Sequence, residues 1–428
     1  IHPLQPHQAP VTRILATANN KALLSVSADG RLLYDYTTNQ RHLLSLTPAQ
    51  PPAAVGLSTR SNGAIAIDGA GEVTLWALHV PHPEASWRTF FGKLWYEGFP
   101  EPEYTWQSSA GTEDFEPKLS LVPLIFGTVK GTLYGLLFAA PLAVFAALYS
   151  SHLMNPRLHR VIKPTFEIMG AIPTVVIGFI AALWLAPLVR VSLGALLLLL
   201  VLLPLLVMLG VGVWERVTAL GAVRKVLRGY EFLLLVPVVL LGVGLAAVAG
   251  RVLEVWLFGG DLPLWLFQHL GVHFDQRNSI IIAFGLGFAV LPTVYTISDD
   301  ALTNVPRNLT AASLALGASR WQTVWRVVLP SASPGIFAAL MVGFGRAVGE
   351  TMIVLMATGN TPITDWSIFN GMRTLSANIA VEIPEAPFEG TLYRTLFLSA
   401  VLLFLTTFVL NTAAEMVRQR LRKKFGQF

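Results

Sequence analysis

Cysteine is absent from the 428 residues, which excludes disulfides, thiol chemistry and thiolate metal sites. Charge is scarce. Lys, Arg, Asp and Glu make up 13% of the chain, about half the share of an ordinary soluble domain. The shortage is uneven: residues 1–118 hold 8 Lys/Arg and 11 Asp/Glu, whereas 193–214 carries no charge. Also missing are a Walker A glycine loop, a Gly-x-Ser-x-Gly elbow and a His-Glu-x-x-His stretch, so the chain is not expected to be an enzyme or to hydrolyse ATP by itself. The histidines are scattered. His152 and His159 lie in a basic stretch, and His269 and His273 have only Asp275 nearby, so no metal or cofactor is expected. The chain opens Ile1-His2-Pro3 without an initiator methionine or an apolar signal core, and reads as a fragment that lacks one upstream helix.

What is abundant is apolar surface: 54% of residues are hydrophobic and the mean hydropathy is +0.59. Runs of about 20 apolar residues can cross a bilayer. Seven are present, at about 121–149, 166–189, 193–214, 232–250, 279–296, 334–357 and 395–412. The expected fold is therefore mainly α, a polytopic membrane helix bundle over 119–412 lying in the lipid bilayer. The net charge of +5 is no nucleic-acid signal, because the basic residues beyond 118 collect in short loops between these runs. Segments 150–165, 215–231, 297–333 and the tail after 412 hold 15 Lys/Arg, and the alternate loops hold 5. The positive-inside rule then puts the basic tail 413–428 in the cytoplasm and residues 1–118 outside, in the periplasm of a Gram-negative cell.

Residues 1–80 read as a β-rich region. Ala22–Ser27 and Arg31–Tyr36 flank an Asp29-Gly30 turn, and Ala64–Ile67 and Glu72–Trp76 flank Asp68-Gly69-Ala70-Gly71 about 40 residues later. That period fits either blades of a truncated propeller or another small β domain. Residues 81–118 are rich in aromatics and broken by Pro81, Pro83, Pro100 and Pro102. They suit a collar on the membrane surface or a linker packed on the β region.

Segment 309–330 carries the most informative pattern. Ala311 to Leu316 favours a helix, Gly317 permits a sharp turn, and Trp321, Val324 and Val328 fall at helical spacing. Two short helices parallel to the membrane would either cap the bundle or present a knob to the cytosol. The segment resembles the coupling loop of ABC importer permeases, whose pattern is Glu-Ala-Ala, three residues, Gly, nine residues, Ile, one residue, Leu-Pro. Ala311 stands at the glutamate, Ala312 and Ser313 at the alanines, Gly317 at the glycine, Val327 at the isoleucine, and Leu329-Pro330 match the end. The residues from Phe115 to Thr128, from Glu167 to Phe179 and from Gly345 to Met352 resemble the phosphate-specific, PstC-type branch of that family. The resemblance covers about 115–190 and 280–412, so 193–250 looks like a two-span insertion.

That resemblance implies a permease subunit in the bacterial inner membrane that moves inorganic phosphate inward. It implies as partners a second permease subunit, two ATP-binding subunits and a periplasmic phosphate-binding protein. Another oxyanion or small solute is the alternative cargo, and a membrane signal sensor is a different class of reading. Arg346 and Glu350 lie four apart and are expected on one helix face, where charge is costly unless paired or wet. They form either an intrahelical packing pair or, with Thr351, the lining of the translocation route. Lys130, close to the outer end of its span, is expected to snorkel to the headgroups, with a place on the translocation route as the less favoured alternative.

Overall fold

The computed structural model describes residues 3–110, 115–218 and 235–425. Arg224, Lys225 and Arg228 of the basic loop, and the start of the run expected at 232, lie outside them. The chain forms two units, residues 1–126 with 378–400, and 127–377 with 401–428.

In the first unit, β1 (Val11–Ala16), β2 (Ala22–Ser27), β3 (Leu32–Tyr36) and β4 (Arg41–Leu46) form an antiparallel sheet in chain order. A second sheet holds β5 (Pro52–Leu57), β6 (Gly63–Asp68) and β7 (Val73–Ala77). Both turns anticipated from the sequence are present and share one construction. Gly30 and Gly71 each have φ +86°, a conformation that favours glycine. The Gly30 N–H donates to Ser27 O and the Gly71 N–H to Asp68 O. In the first turn Asp29 accepts from the Ser27 hydroxyl and the Arg31 N–H, and these bonds hold its carboxyl below the usual carboxylate range. Leu24, Leu32, Tyr34, Ala64 and Leu78 share one apolar core. Among the described residues the sheets do not close into a ring.

The aromatic segment packs on this region. Asn39 Nδ2 donates to Pro83 O (3.2 Å) and Glu84 O (3.1 Å), and the Tyr36 hydroxyl donates to Glu116 (2.7 Å). The short helix α1 (Trp87–Phe91) is capped by Ser86, and β8 (Trp106–Gln107) pairs with β9 (Lys118–Leu119).

The described residues include seven helices long and apolar enough to cross a membrane. They are α2 (Val122–His152), α4 (Thr174–Val191), α5 (Leu193–Thr218), α6 (Leu235–Phe258), α8 (Ser279–Thr303), α10 (Arg320–Gly349) and α13 (Thr391–Phe425). Between them come α3 (Pro156–Gly170), α7 (Leu262–Leu270), α9 (Arg307–Ala315), α11 (Met352–Ala357) and α12 (Leu375–Glu382). The run expected at 166–189 is divided: residues 166–170 finish α3, and the span starts after Pro173. α3 is amphipathic and begins at an Asn155 cap followed by Pro156, as helix starts favour. The run expected at 334–357 also shifts, because its helix begins at Arg320 and stops at Gly349. Wide, π-type turns occupy 181–185 and 324–328, just before Pro187 and Pro330. A proline has no N–H for the usual bond one turn back, and a wider turn absorbs that loss.

α8 is the centre of the second unit and packs against α3, α10 and α11. Ile281, Ile282, Leu286, Val290, Val294 and Tyr295 are buried along it. The spans α5 and α6 pack chiefly on each other. Their crossing is close, since a Cβ on Gly250 would collide with the backbone of Ala195.

Candidate functional site

The segment 307–328 forms a bent arm at one end of the bundle. α9 follows Pro306, ends at Ala315 and is capped by Leu316; Gly317, at φ +84°, reverses the chain with open space around it. Ser319 and Gln322 then form a reciprocal capping box that starts α10. The Ser313 and Thr323 hydroxyls, 3.0 Å apart, tie the two arms together. Two expectations change here. The second arm is no separate short helix, because α10 runs from it without interruption into the membrane span. Trp321 does not share a face with Val324 and Val328, which are buried while Trp321 is 54% exposed; the wide turn begins at Val324 and offsets the residues on either side of it.

Ala311 and Ala312 are exposed on α9, Ser313 is half-buried, and Leu329 and Pro330 are half-buried where the arm joins the span. Leu316 is 89% exposed at the tip, and Trp321 stacks on Trp325 with ring centres 5.8 Å apart. An apolar knob of this kind suits a protein partner.

Arg346 and Glu350 do not form the expected pair on one face. The helix ends at Gly349, and Glu350 is extended (φ −68°, ψ 123°). Arg346 instead donates from its guanidinium to Thr293 Oγ1 on α8, at 2.6 Å. The Glu350 carbonyl accepts from the Ser376 hydroxyl at 3.1 Å, and the Thr351 hydroxyl turns back to Gly349 O at 3.3 Å. Helix resumes at Met352. The result is a discontinuous helix with half-buried Arg346, Glu350 and Thr351 grouped at its interruption. Interruptions of this sort place backbone and side-chain polar groups where an ion can be bound inside a membrane.

Lys130 does not snorkel. It is fully buried, and its Nζ has no hydrogen-bond partner among the described residues. The cause is tertiary: segment 366–375 covers this face of α2, and the Tyr134 hydroxyl donates to Trp366 O at 2.5 Å.

A further cluster escaped the sequence reading. Asp299, fully buried near the end of α8, accepts from the Ser150 hydroxyl at 3.1 Å and lies 3.1 Å from His159 Nε2 and 3.5 Å from Lys163 Nζ. Lys163 also pairs with Asp300 at 2.5 Å, a hydrogen bond that holds its ammonium above the ordinary lysine range. The Tyr295 hydroxyl donates to Ser150 at 3.0 Å. The cluster ties α2, α3 and α8 together a few residues before α9 begins. Its only sequence signal is two adjacent acids at the end of an apolar run.

A bundle of spanning helices, one of them interrupted at a cation, with a bent arm at one end, defines a transport subunit of the membrane-permease type. The family model described as "Binding-protein-dependent transport system inner membrane component" matches residues 139–424, and the chain belongs to that family. It is thus a polytopic inner-membrane subunit of an ABC importer for a small solute or oxyanion. A probable ABC transporter permease protein, YqgH of Bacillus subtilis, is 25% identical over 69% of this chain and 71% of its own length. The phosphate transport system permease protein PstC of Pasteurella multocida is 31% identical over 39% of this chain. That alignment spans about half of the Pasteurella protein (52%). The phosphate transport system permease protein PstA 1 of Mycobacterium tuberculosis is 31% identical over 41% of this chain and 54% of its own length.

Proposed function

We propose that the chain is one permease half of an importer that carries inorganic phosphate inward, driven by two separate ATP-binding subunits. The observation that carries this reading is the interrupted helix at 349–352, with Arg346 anchored to Thr293 beside it. A guanidinium has several donors in a plane, so one bond to a hydroxyl leaves others to offer a passing oxyanion. The interruption also leaves Glu350 free of the helix, where its carboxylate limits how tightly an anion is held, and release matters as much as capture in a conduit. Similarity to permeases named for phosphate transport supports the cargo.

In this reading the arm at 307–328 is the coupling loop. Its exposed Leu316 and Trp321 enter a groove of an ATP-binding subunit, and the rigid continuation into α10 carries that movement to Arg346. The second half of the route comes from a partner permease, and a periplasmic phosphate-binding protein delivers the cargo. The charge bias puts the arm and the basic tail in the cytoplasm, and residues 1–118 in the periplasm.

The test is uptake of labelled phosphate into proteoliposomes holding this chain, its partner permease, the ATP-binding subunits and the binding protein, with sulfate and phosphonate as competitors. Phosphate uptake that resists both competitors is expected. Uptake of sulfate or phosphonate in its place would reassign the cargo, and no ATP-dependent uptake of any of the three would overturn the reading.

A further inference from the structure

The proposed route uses Arg346 and leaves Lys130 without a role. A buried ammonium with unmet donors is costly, and such a group inside a membrane bundle needs a functional reason. The surroundings of Lys130 suggest one. The Arg373 carbonyl closes on Gly127, the Leu375 N–H donates to Thr128 Oγ1 at 3.0 Å, and the Met372 sulfur lies 3.0 Å from where a Cβ on Gly131 would sit. With the bond from Tyr134 to Trp366, these contacts define the face of α2 covered by segment 366–375. Lys130 is one helical turn from both Gly127 and Tyr134, on that same face.

The carboxylates whose charge reaches Lys130 are those of Asp365 and Asp275. Neither makes an ion pair with it among the described residues, and both hold the covering segment together. Asp275 accepts from the Gly371 N–H at 3.1 Å. Asp365 accepts from the Ser367 N–H at 2.9 Å and from Asn370 Nδ2 at 2.5 Å. The two carboxylates attract the ammonium without saturating its donors.

The depth of Lys130 follows from one contact. A Cβ on Gly343 would lie 3.8 Å from a methyl of Leu136, which sets a common level for α10 and α2. From that level Arg346 is about 5 Å and Lys130 about 9 Å toward the covering segment, at 1.5 Å per residue. A solute arriving from the side of that segment meets Lys130 before Arg346.

We propose that Lys130 is a second anion contact of the route, covered by segment 366–375 at rest and presented to a tetrahedral oxyanion when that segment lifts. This rests on the oxyanion reading given above. Asp275 and Asp365 keep the contact weak, so that the anion passes on to Arg346.

The experiment measures phosphate moved per ATP hydrolysed by the reconstituted complex carrying Lys130→Met, Lys130→Arg or Asp365→Asn. Lys130→Met should lower the ratio about tenfold, the scale of losing one charge-assisted hydrogen bond, and Lys130→Arg should stay within about threefold of the parent. A parental ratio in Lys130→Met would overturn the proposal, as would a loss in Asp365→Asn equal to that in Lys130→Met, which would make the lysine a tie for the segment. Should Lys130→Met fail to assemble, reductive methylation of the parental complex decides the matter. Lys130 should be labelled during turnover and protected by saturating phosphate; no labelling during turnover, or labelling that phosphate does not reduce, would overturn the proposal. The parental complex in the same experiment separates the two readings: if it carries no oxyanion both fall, and if it carries phosphate while Lys130 proves indifferent, only this one does.

Discussion

Arg346 is hydrogen-bonded to Thr293 on the neighbouring helix, 2.6 Å away, although Glu350 lies only four residues along its own chain. The helix stops between the two acid–base partners that sequence spacing would join. Arg346 is thereby held by a neutral hydroxyl, which positions the guanidinium without cancelling its charge.

Arg346→Ala should abolish phosphate uptake by the reconstituted complex while the complex still assembles, as judged by co-purification. Thr293→Val should have a milder effect, about a tenfold fall in uptake, because it removes one charge-assisted positioning bond worth about 1.5 kcal/mol. Uptake at the parental rate in Arg346→Ala would remove Arg346 from the route.

Gly317 has open space around it, so a substitution there meets backbone strain and no collision. The left-handed conformation costs an ordinary residue about 1–2 kcal/mol, and asparagine less. Gly317→Val should therefore misplace Leu316 and Trp321 and uncouple ATP hydrolysis from uptake, whereas Gly317→Asn should stay close to the parent. The measurement is the ratio of ATP hydrolysed to phosphate transported, and equal ratios in all three would sink the coupling role.

Asp299 joins three helices through Ser150, His159 and Lys163. Removing one member of a buried ion pair costs about 3–5 kcal/mol, and losing one hydrogen bond to a charged group about 1.5–3 kcal/mol. Asp299→Asn should lower the thermal midpoint of the purified subunit clearly more than Ser150→Ala, as followed by a fluorescence melt. Equal midpoints would show that the carboxylate charge is not what holds the cluster.

The absence of cysteine makes cross-linking unambiguous. A Cβ on Gly210 would lie 3.9 Å from Cβ of Val238, within the range a disulfide spans. A Gly210→Cys, Val238→Cys double variant should form an intramolecular cross-link on mild oxidation, visible as a mobility shift that a reductant reverses. Adding Gly250→Leu should prevent it, because the backbone of Ala195 leaves no room for a side chain there.

Much of the fold was legible because its signals are local. The Asp29-Gly30 and Asp68-to-Gly71 turns could be read from short stretches, since the required positive φ selects glycine. Pro173 marks the start of α4, but the apolar run continues on both sides of it, so the run length hid the boundary. Glu350 was misplaced for the opposite reason. Gly349 is compatible with a helix interior, and the carbonyl freed at Glu350 finds its partner in Ser376, distant in sequence.

By itself, the sequence determined that this chain lies in a membrane, how many runs can cross it among the residues described, and where the bent arm at 307–328 falls. Hydrophobic length, loop charge and turn chemistry are properties of contiguous residues. Only the tertiary structure decided that Arg346 pairs with Thr293, that Lys130 is covered instead of snorkelling, and that Asp299 gathers a histidine and a lysine from α3. Each of these depends on which distant segment packs on a given helix face, and no local pattern encodes that choice.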